Sequence, residues 1–526
     1  MLKKMISILL ALILALSVMA GCGENQQGAV DTTENTPLSQ PDYGLTLTQG
    51  QTMSLKPQAL TGEIRWQISD PDRATVDENG TVTALTDRGS ITVTATDGEK
   101  SEEWEIKLCQ DTPYGLVNLA SGDGKFTIGV WNGSYHEVDE LRMELLAMAG
   151  INLLIGLEER WLTLYDMEEI LDSAQSYGIS VIEDMRNWDG VEVPDYTDHP
   201  ALAGYLMYDE PCSTEYDRLA GLLESFRQVM PEDKLFYVNL FPEACSYESL
   251  YGNDWRNLGK PDYEAHYIEP LLEKMDLPYI SYDGYALQEG GRIRPSYYHN
   301  FDVVAHHAKE NGMDFWYTLL SAPHSTTDGR YIDPTDKELR WQMALGMTYG
   351  SKDLAHYVLC SHETDDYDTM IEYGTWDTTR LYDDVSLVNN EFLAWDDIFT
   401  SFTWQGTAKV DTGKENSMLK RLEYDIPISG AVTGVSSDQD LLVGVFDRDG
   451  QSAYMITGAG DTTAIFGIDH QMNFTMEDAN VVLTLDGGYR CAAVISRGEI
   501  TYVPVANNTV TLTVNAYDGV FVIPVP

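Results

Sequence analysis

The stretch Ala203-Gly-Tyr-Leu-Met-Tyr-Asp-Glu-Pro211 is an apolar run that ends abruptly in two carboxylates and a proline. This pattern predicts a buried strand that carries acid chemistry at its carboxyl end. Because side chains alternate along a strand, we expect Tyr208 and Glu210 on one side and Asp209 on the other. One acid would then face a cleft while its neighbour lies in the wall, and Glu210 is the first candidate for a catalytic acid.

Around this strand, seven further apolar runs alternate with segments of helical periodicity between residues 126 and 402. Strand alternating with helix predicts a parallel sheet, and eight such units in a segment of this length predict a closed (β/α)8 TIM barrel. The other seven strands are expected at 126–131, 151–157, 179–184, 235–240, 279–283, 315–320 and 355–359. Catalytic groups of such barrels lie at the carboxyl ends of the strands.

Short alternating strands, without helical periodicity, flank the predicted barrel on both sides. Residues 43–109 predict a small β-sandwich, residues 110–125 a linker and residues 403–526 a C-terminal β-sandwich. Trp66-Gln-Ile-Ser-Asp, Gly80-Thr-Val-Thr-Ala-Leu and Ile91-Thr-Val-Thr-Ala resemble a group 2 bacterial immunoglobulin-like domain. The resemblance implies a spacer or an adhesive module.

The amino terminus has the pattern of a secretory signal. Lys3 and Lys4 precede an apolar run at 5–19, which is too short and wrongly flanked for a stable transmembrane helix. Met19-Ala-Gly-Cys22 resembles a bacterial lipobox, which implies lipid attachment at Cys22; an ordinary signal with a chance cysteine is the alternative. Residues 1–22 are therefore expected to be a lipoprotein signal and 23–42 a flexible tether, with the protein extracellular and lipid-anchored to the membrane.

Composition limits the partners. The formal net charge is −51, from 33 basic and 84 acidic residues, which disfavours nucleic acid and anionic membrane surfaces. Neutral glycans fit this charge better, and contact with the membrane is expected only through the Cys22 lipid.

The five other cysteines show neither metal-ligand spacing nor a disulfide framework. We expect a monomer without cofactor or metal centre, although the acidic run at 363–368 leaves structural calcium open.

Carboxylates and aromatic residues follow most of the predicted strands. The acids are Glu158, Glu159, Glu183, Asp184, Asp209, Glu210, Glu243, Asp283, Glu363 and Asp365. The aromatic residues are Trp131, Trp161, Trp188, Tyr208, Tyr282, Tyr285 and Trp316. Cleavage of a glycosidic bond needs one protonated and one ionised carboxyl group, and crowded acids separate their pKa values in this way. Flat rings stack on sugar faces, although core packing is the alternative for each ring.

Four of these strands together are similar to the (β/α)8 glycoside hydrolases of the clan A type. The matching elements are Gly129-Val-Trp-Asn-Gly, Ala149-Gly-Ile-Asn, Gly204-Tyr-Leu-Met-Tyr-Asp-Glu-Pro and Ile280-Ser-Tyr-Asp-Gly-Tyr. The resemblance implies an acid/base at Glu210, with Asp209 replacing the usual Asn. The clan also carries a nucleophilic Glu at the end of strand seven, but this chain has no carboxylate in residues 316–324.

The second catalytic carboxylate must therefore come from another strand, and we expect Asp283 first and Glu243 second. Tyr282-Asp283 also resembles the strand-six pair of family 18 chitinases, in which the acetamide of the substrate attacks. Substrate contacts are expected from Asp209, Tyr208, Tyr282, Trp131, Glu183, Trp316 and Tyr285. The loop residues His324 and Arg330 are further candidates for binding substrate, although a solvated His324 and an acid-paired Arg330 are the alternatives.

Two functions follow from these residues. The first is a surface-anchored glycoside hydrolase that cleaves an extracellular glycan by carboxylate acid/base catalysis. The alternative is a non-catalytic, surface-bound glycan-binding lipoprotein on a degenerate barrel, because a fold alone does not establish catalysis.

Overall fold

The computed structural model describes residues 41–133, 140–157, 166–188, 193–253, 255–326, 329–361, 367–373, 375–413 and 418–526. The predicted signal, the Cys22 lipobox and nearly all of the tether lie outside these residues, as do Glu158, Glu159, Trp161, Glu363 and Asp365. No helix in the described ranges is long and apolar enough to cross a membrane.

The centre of the molecule is a closed barrel of eight parallel strands in sequential order, which confirms the predicted fold class. The strands are β1 (Thr127–Trp131), β2 (Leu153–Leu157), β3 (Ser180–Asp184), β4 (Leu202–Asp209), β5 (Leu235–Leu240), β6 (Tyr279–Asp283), β7 (Asp314–Leu320) and β8 (Asp353–Tyr357). β8 pairs with β1 and closes the ring. The mostly buried, apolar strands are typical of a parallel sheet covered by helices.

Helices surround the barrel. They are α1 (Glu140–Met148), α2 (Met167–Ser176), α3 (Tyr216–Val229), α4 (Tyr247–Tyr251), α5 (Glu269–Lys274), α6 (Tyr297–Glu310), α7 (Asp336–Thr348), α8 (Arg380–Leu393) and α9 (Asp396–Phe399). Short 3-10 turns occur at Ser213–Glu215, Trp255–Leu258 and Leu419–Arg421, and a π-helical turn at Glu264–Ile268. Asp166 and Glu169 form a capping box that starts α2.

The N-terminal domain is a two-sheet sandwich. Its strands are Leu45–Thr48, Thr52–Ser54, Arg65–Ile68, Ala74–Val76, Thr81–Ala84, Ser90–Thr96, Ser101–Thr112 and Gly115–Val117. The last two strands pair as a hairpin, so the segment expected as a linker begins inside a strand. Arg490 of the C-terminal domain donates to the carbonyl of Tyr114 at 2.8 Å, and Arg88 pairs with Asp397 at 2.9 Å. These contacts hold the N-terminal domain against the rest of the chain.

The C-terminal domain is also a β-sandwich. Its six-stranded sheet contains Thr403–Val410, Leu441–Arg448, Gln451–Gly458, Gly519–Val525, Cys491–Ser496 and Glu499–Pro504. Its three-stranded sheet contains Val432–Ser437, Ala479–Leu485 and Thr509–Val514. Valine, leucine and isoleucine from both sheets form the core between them.

One hairpin leaves this sandwich and joins the barrel. It consists of Asp461–Ile465 and Ile468–Thr475, and we call residues 461–475 the C-terminal hairpin. Its second strand pairs with Arg292–Ile293, which in turn pairs with Leu287–Gln288 in the loop after β6. The resulting four-stranded sheet is shared between the two domains.

Candidate active site

The carboxyl ends of β4, β5 and β6 bring a cluster of polar side chains together. Asp209 ends β4 and pairs in register with Asn239 of β5, which pairs with Ser281 of β6. Asp283 is the last residue of β6 and Glu210 directly follows β4. The cluster therefore lies where active sites of this fold occur.

Local backbone geometry places Glu210 in this cluster. The register between β4 and β5 shifts between Leu206 and Tyr208, and Glu210 has a left-handed backbone conformation with φ +55°. Its N–H donates to the carbonyl of Asn239 at 2.8 Å, which anchors the turn to β5. The two acids thus do not separate to opposite sides as strict alternation predicts, because the strand ends between them.

The carboxyl groups of Glu210 and Asp283 lie close enough to shift each other's pKa. Burial, followed by the negative charges of Asp283 and Asp209, raises the pKa of Glu210 to about 10. Burial and the charge of Asp209 raise the pKa of Asp283 to about 7, against the opposing effect of its hydrogen-bond donors. Burial and mutual repulsion therefore favour a proton on this pair at neutral pH, and Glu210, whose pKa is raised further, is the candidate for holding it.

Asn239 fixes the orientation of the acids. Its amide nitrogen donates to Asp283 Oδ1 at 2.7 Å and, at 3.4 Å, to Asp209 Oδ1. Its Oδ1 accepts from the hydroxyl of Ser281 at 3.0 Å, and Ser281 is also hydrogen-bonded to the hydroxyl of Tyr237 at 2.9 Å. Asn239 is fully buried and is a site residue that the sequence did not predict. The available signal was a single amide near the end of an otherwise apolar strand.

A third acid, Asp209, adds to the charge of the cluster. Asp209 has its pKa raised by burial, an effect that the positive charge of Arg186 opposes. Arg186 Nε lies 3.0 and 2.9 Å from the two carboxylate oxygens of Asp184, at the end of β3. The guanidinium thus compensates part of the negative charge at the barrel mouth.

Tyrosines cover the acids on the β6 to β8 side. Tyr285, one of the expected substrate-binding residues, lies close enough to Asp283 to lower its pKa. Its ring centroid lies 5.5 Å from that of Tyr357, which ends β8 and which the sequence analysis missed. His324 is half-buried with its ring 5.4 Å from Tyr285 and 5.3 Å from Tyr357, so it is not the solvated residue of the alternative reading. Burial lowers the pKa of His324 and favours a neutral imidazole.

Trp131 lies inside the barrel beneath the acids. Its Nε1 donates to Thr318 Oγ1 at 3.3 Å, and its ring lies 6.1 Å from Tyr237. Tyr237 is close enough to Asp283 and Asp209 to feel both charges. Trp131 therefore forms part of the floor of the site.

Three of the expected substrate-binding residues face elsewhere. Tyr282 is fully buried and stacks on Phe315 at 5.9 Å, because alternation along β6 turns it outward when Asp283 faces the mouth. Glu183 is also turned outward and accepts a hydrogen bond from Tyr196 at 2.9 Å. Trp316 packs on Tyr279, the first residue of β6, and so lies toward the amino-terminal end of the barrel.

Two further expected site residues are engaged in other contacts. The hydroxyl of Tyr208 donates to Glu215 at 2.7 Å. Glu243 accepts from Arg421 of the C-terminal segment at 2.6 Å and pairs with His299 of α6 at 2.8 Å. The structure brings Asp283, rather than Glu243, into contact with Glu210.

No metal-binding cluster of three or more His, Cys, Asp or Glu residues occurs in the part of the chain that the structure describes. The described cysteines, at 109, 212, 245, 360 and 491, are all free thiols. The acidic run proposed for calcium, 363–368, lies mostly outside the described residues.

Comparisons with known proteins identify the N-terminal domain. The model of the bacterial Ig-like domain (group 2) matches residues 28–107, so this part of the chain is a bacterial Ig-like domain. A search of curated proteins gives no match.

Several solved structures are similar in outline. A β-galactosidase from Marinomonas ef1 has 11% identity and a TM-score of 0.38, over 52% of this chain and 62% of that enzyme. A GH10 xylanase with a bacterial Ig-like domain, from termite gut, has 12% identity and a TM-score of 0.30, over 66% and 98%. A β-galactosidase from Halorubrum lacusprofundi has 10% identity and a TM-score of 0.38, over 76% and 99%.

Proposed function

We propose that this protein is a glycoside hydrolase that cleaves a glycosidic bond in an extracellular glycan, with Glu210 as the general acid. The observation that carries the proposal is the buried pair of interacting carboxyl groups, Glu210 and Asp283, at the ends of β4 and β6. A carboxyl group that keeps its proton at neutral pH beside an ionisable carboxylate is the arrangement that protonation of a glycosidic oxygen needs.

The close spacing of the two carboxyl groups limits which catalytic roles Asp283 can have. Retaining enzymes separate their carboxyl groups by about 5–5.5 Å and inverting enzymes by about 6.5–9.5 Å, which leaves space for a sugar carbon or a water. The direct interaction between Glu210 and Asp283 favours a shorter spacing than either of these. We therefore assign Asp283 to orienting a group of the substrate, rather than to attacking the sugar itself.

A 2-acetamido group is the substrate group that fits this role. Its N–H would donate to Asp283 while its carbonyl oxygen attacks the anomeric carbon, the glycosidic C–O bond breaks, and the Glu210 proton passes to the leaving oxygen. Water then attacks the anomeric carbon and expels the acetamide oxygen, and its proton returns to Glu210. The proposed substrate class is therefore a glycan that contains N-acetylhexosamine.

Hydrolysis of nitrophenyl N-acetylhexosaminides, compared with the matching 2-hydroxy glycosides, tests this proposal. We expect turnover of the acetamido compounds and a loss of at least about a hundredfold in kcat for Glu210→Gln. Glu232→Gln makes the same substitution at an exposed position and should leave kcat unchanged. Equal turnover by Glu210→Gln and the unchanged protein would refute the role of Glu210.

A second candidate function rests on one observation, which is that residues 316–324, the carboxyl-terminal part of β7 and the residues after it, contain no carboxylate. A barrel with this gap would serve as a glycan-binding protein without turnover. Glycan binding that is detectable by calorimetry, with no product released from any acetamido or 2-hydroxy glycoside, would favour this second function.

Location and partners are part of the proposal. We place the protein at the outer face of the membrane, anchored through a lipid on Cys22, with carbohydrate as its partner and no role for nucleic acid. The excess of acidic residues supports this reading, because a neutral glycan is not repelled by the surface.

A further inference from the structure

The C-terminal hairpin is tied to the loops of the barrel mouth. Met472 pairs in register with Ile293, and the Arg292 guanidinium donates to Gln471 Oε1 at 2.7 Å. Gly329, in the loop after β7, lies so close that a Cβ there would be 2.9 Å from Gln471 Nε2. The hairpin is thus held against the loops after β6 and β7, the strands that carry Asp283 and the floor residue Thr318.

The base of the hairpin is packed and its tip is not. Met472 and Phe474 are buried, and Phe474 lies 5.6 Å from the ring of Trp341 on α7. At the tip, Phe466 is fully exposed, with a relative accessibility of 105%. Phe466 is the most exposed large apolar side chain of the described residues. It takes no part in the hydrophobic cores.

Strand geometry limits how far the tip lies from the acids. Leu287 lies four residues after Asp283 in the chain and pairs with Ile293. Ile293 pairs with Met472 of the C-terminal hairpin. Met472 pairs with Ala464, which lies two residues before Phe466. Antiparallel pairing makes the tip continue in the direction that runs from Leu287 back toward Asp283. With strands about 4.8 Å apart and a rise of about 3.4 Å per residue, this path places Phe466 within about 35 Å of Asp283.

We infer that Phe466 stacks on a sugar ring of a glycan chain that extends outward from Glu210 and Asp283. An exposed aromatic ring binds the apolar face of a pyranose, and a neutral chain meets no repulsion from this acidic surface. A second copy of this protein fits less well as the occupant, because each copy carries a net charge of −51. The inference rests on the proposed function and makes the substrate an oligosaccharide or polysaccharide rather than a single-sugar glycoside.

The test compares Phe466→Ala with Phe466→Trp and with Leu387→Ala, which removes an exposed apolar side chain on α8. Substrates are a nitrophenyl N-acetylglucosaminide and the N-acetylglucosamine hexamer. We expect Phe466→Ala to lose roughly three- to tenfold in kcat/KM on the hexamer, as for one aromatic contact, and nothing on the short substrate. Phe466→Trp and Leu387→Ala should behave like the unchanged protein.

A binding assay separates failure of this inference from failure of the proposed function. Retardation of the protein in gels that contain glycol chitin, xylan or galactan does not require turnover. Weaker retardation of Phe466→Ala supports the role of Phe466 even where no glycoside is hydrolysed. Equal retardation of both proteins in every gel, or a dimer in sedimentation that Phe466→Ala dissociates, would overturn the inference.

Discussion

Replacement of Glu210 by glutamine should make the protein more stable at alkaline pH. The pKa of Glu210 is raised from 4.5 to about 10 in the folded protein, mainly by burial. The folded state therefore binds this proton more tightly than the unfolded state. The associated stability is fully present below pH 4.5 and is lost as the pH rises toward about 10.

The loss in the free energy of unfolding caused by Glu210 follows from the width of the pH interval. Between these two pKa values, the free energy of unfolding falls by about 1.4 kcal/mol per pH unit. The interval from about pH 7 to 8.5 avoids the lower half of the titration of Asp283, whose pKa is about 7. Over that interval, Glu210 should cost the protein about 2 kcal/mol, a cost that a neutral glutamine does not incur.

Urea unfolding followed by tryptophan fluorescence at several pH values measures this difference without any knowledge of the substrate. The stability of Glu210→Gln relative to the unchanged protein should rise steadily from pH 7 to 8.5, whereas exposed Glu232→Gln should show a constant difference. Parallel stability curves for Glu210→Gln and the unchanged protein would show that Glu210 is ionised at neutral pH, and would refute the assignment of the proton.

Three further outcomes are expected. Asn239→Ala removes a donor that lowers the pKa of Asp283, so the acidic limb of the rate against pH should move up by about one unit, and an unmoved limb would contradict this. Glu243→Gln breaks the pairing with Arg421 and should lower the free energy of unfolding by about 2 kcal/mol with kcat unchanged; a large loss of kcat would instead make Glu243 catalytic. Cys22→Ala should move the protein from the membrane to the soluble fraction in cell fractionation, and continued sedimentation with membranes would exclude the lipid anchor.

The architecture of the barrel could be read from the sequence because each strand is a short apolar run of its own. The runs at 151–157 and 279–283 contain the strands β2 and β6 as the structure has them. A local pattern of this kind depends only on neighbouring residues. The expected linker at 110–125 differs from the structure, because its first residues, 110–112, end the strand Ser101–Thr112 and pair with Gly115–Val117 in a hairpin.

The candidate site could be predicted only in part. Glu210 and Asp283 were both expected, since each ends a recognisable strand. Their contact was not expected, because it depends on the left-handed backbone at Glu210 and on the alignment of two strands that are far apart in the chain. Asn239 and Tyr357 were missed because an amide or a phenol at a strand end shows its partner only after folding.

The sequence by itself determined the classes of domain, the acids available at the strand ends and the lack of a carboxylate after β7. Only the tertiary structure decided which acids meet, that Tyr282 faces the core, and that the pKa values of Glu210 and Asp283 are both raised. The physical reason is that burial and charge interactions depend on distances between residues of different strands, and these distances exist only in the closed barrel.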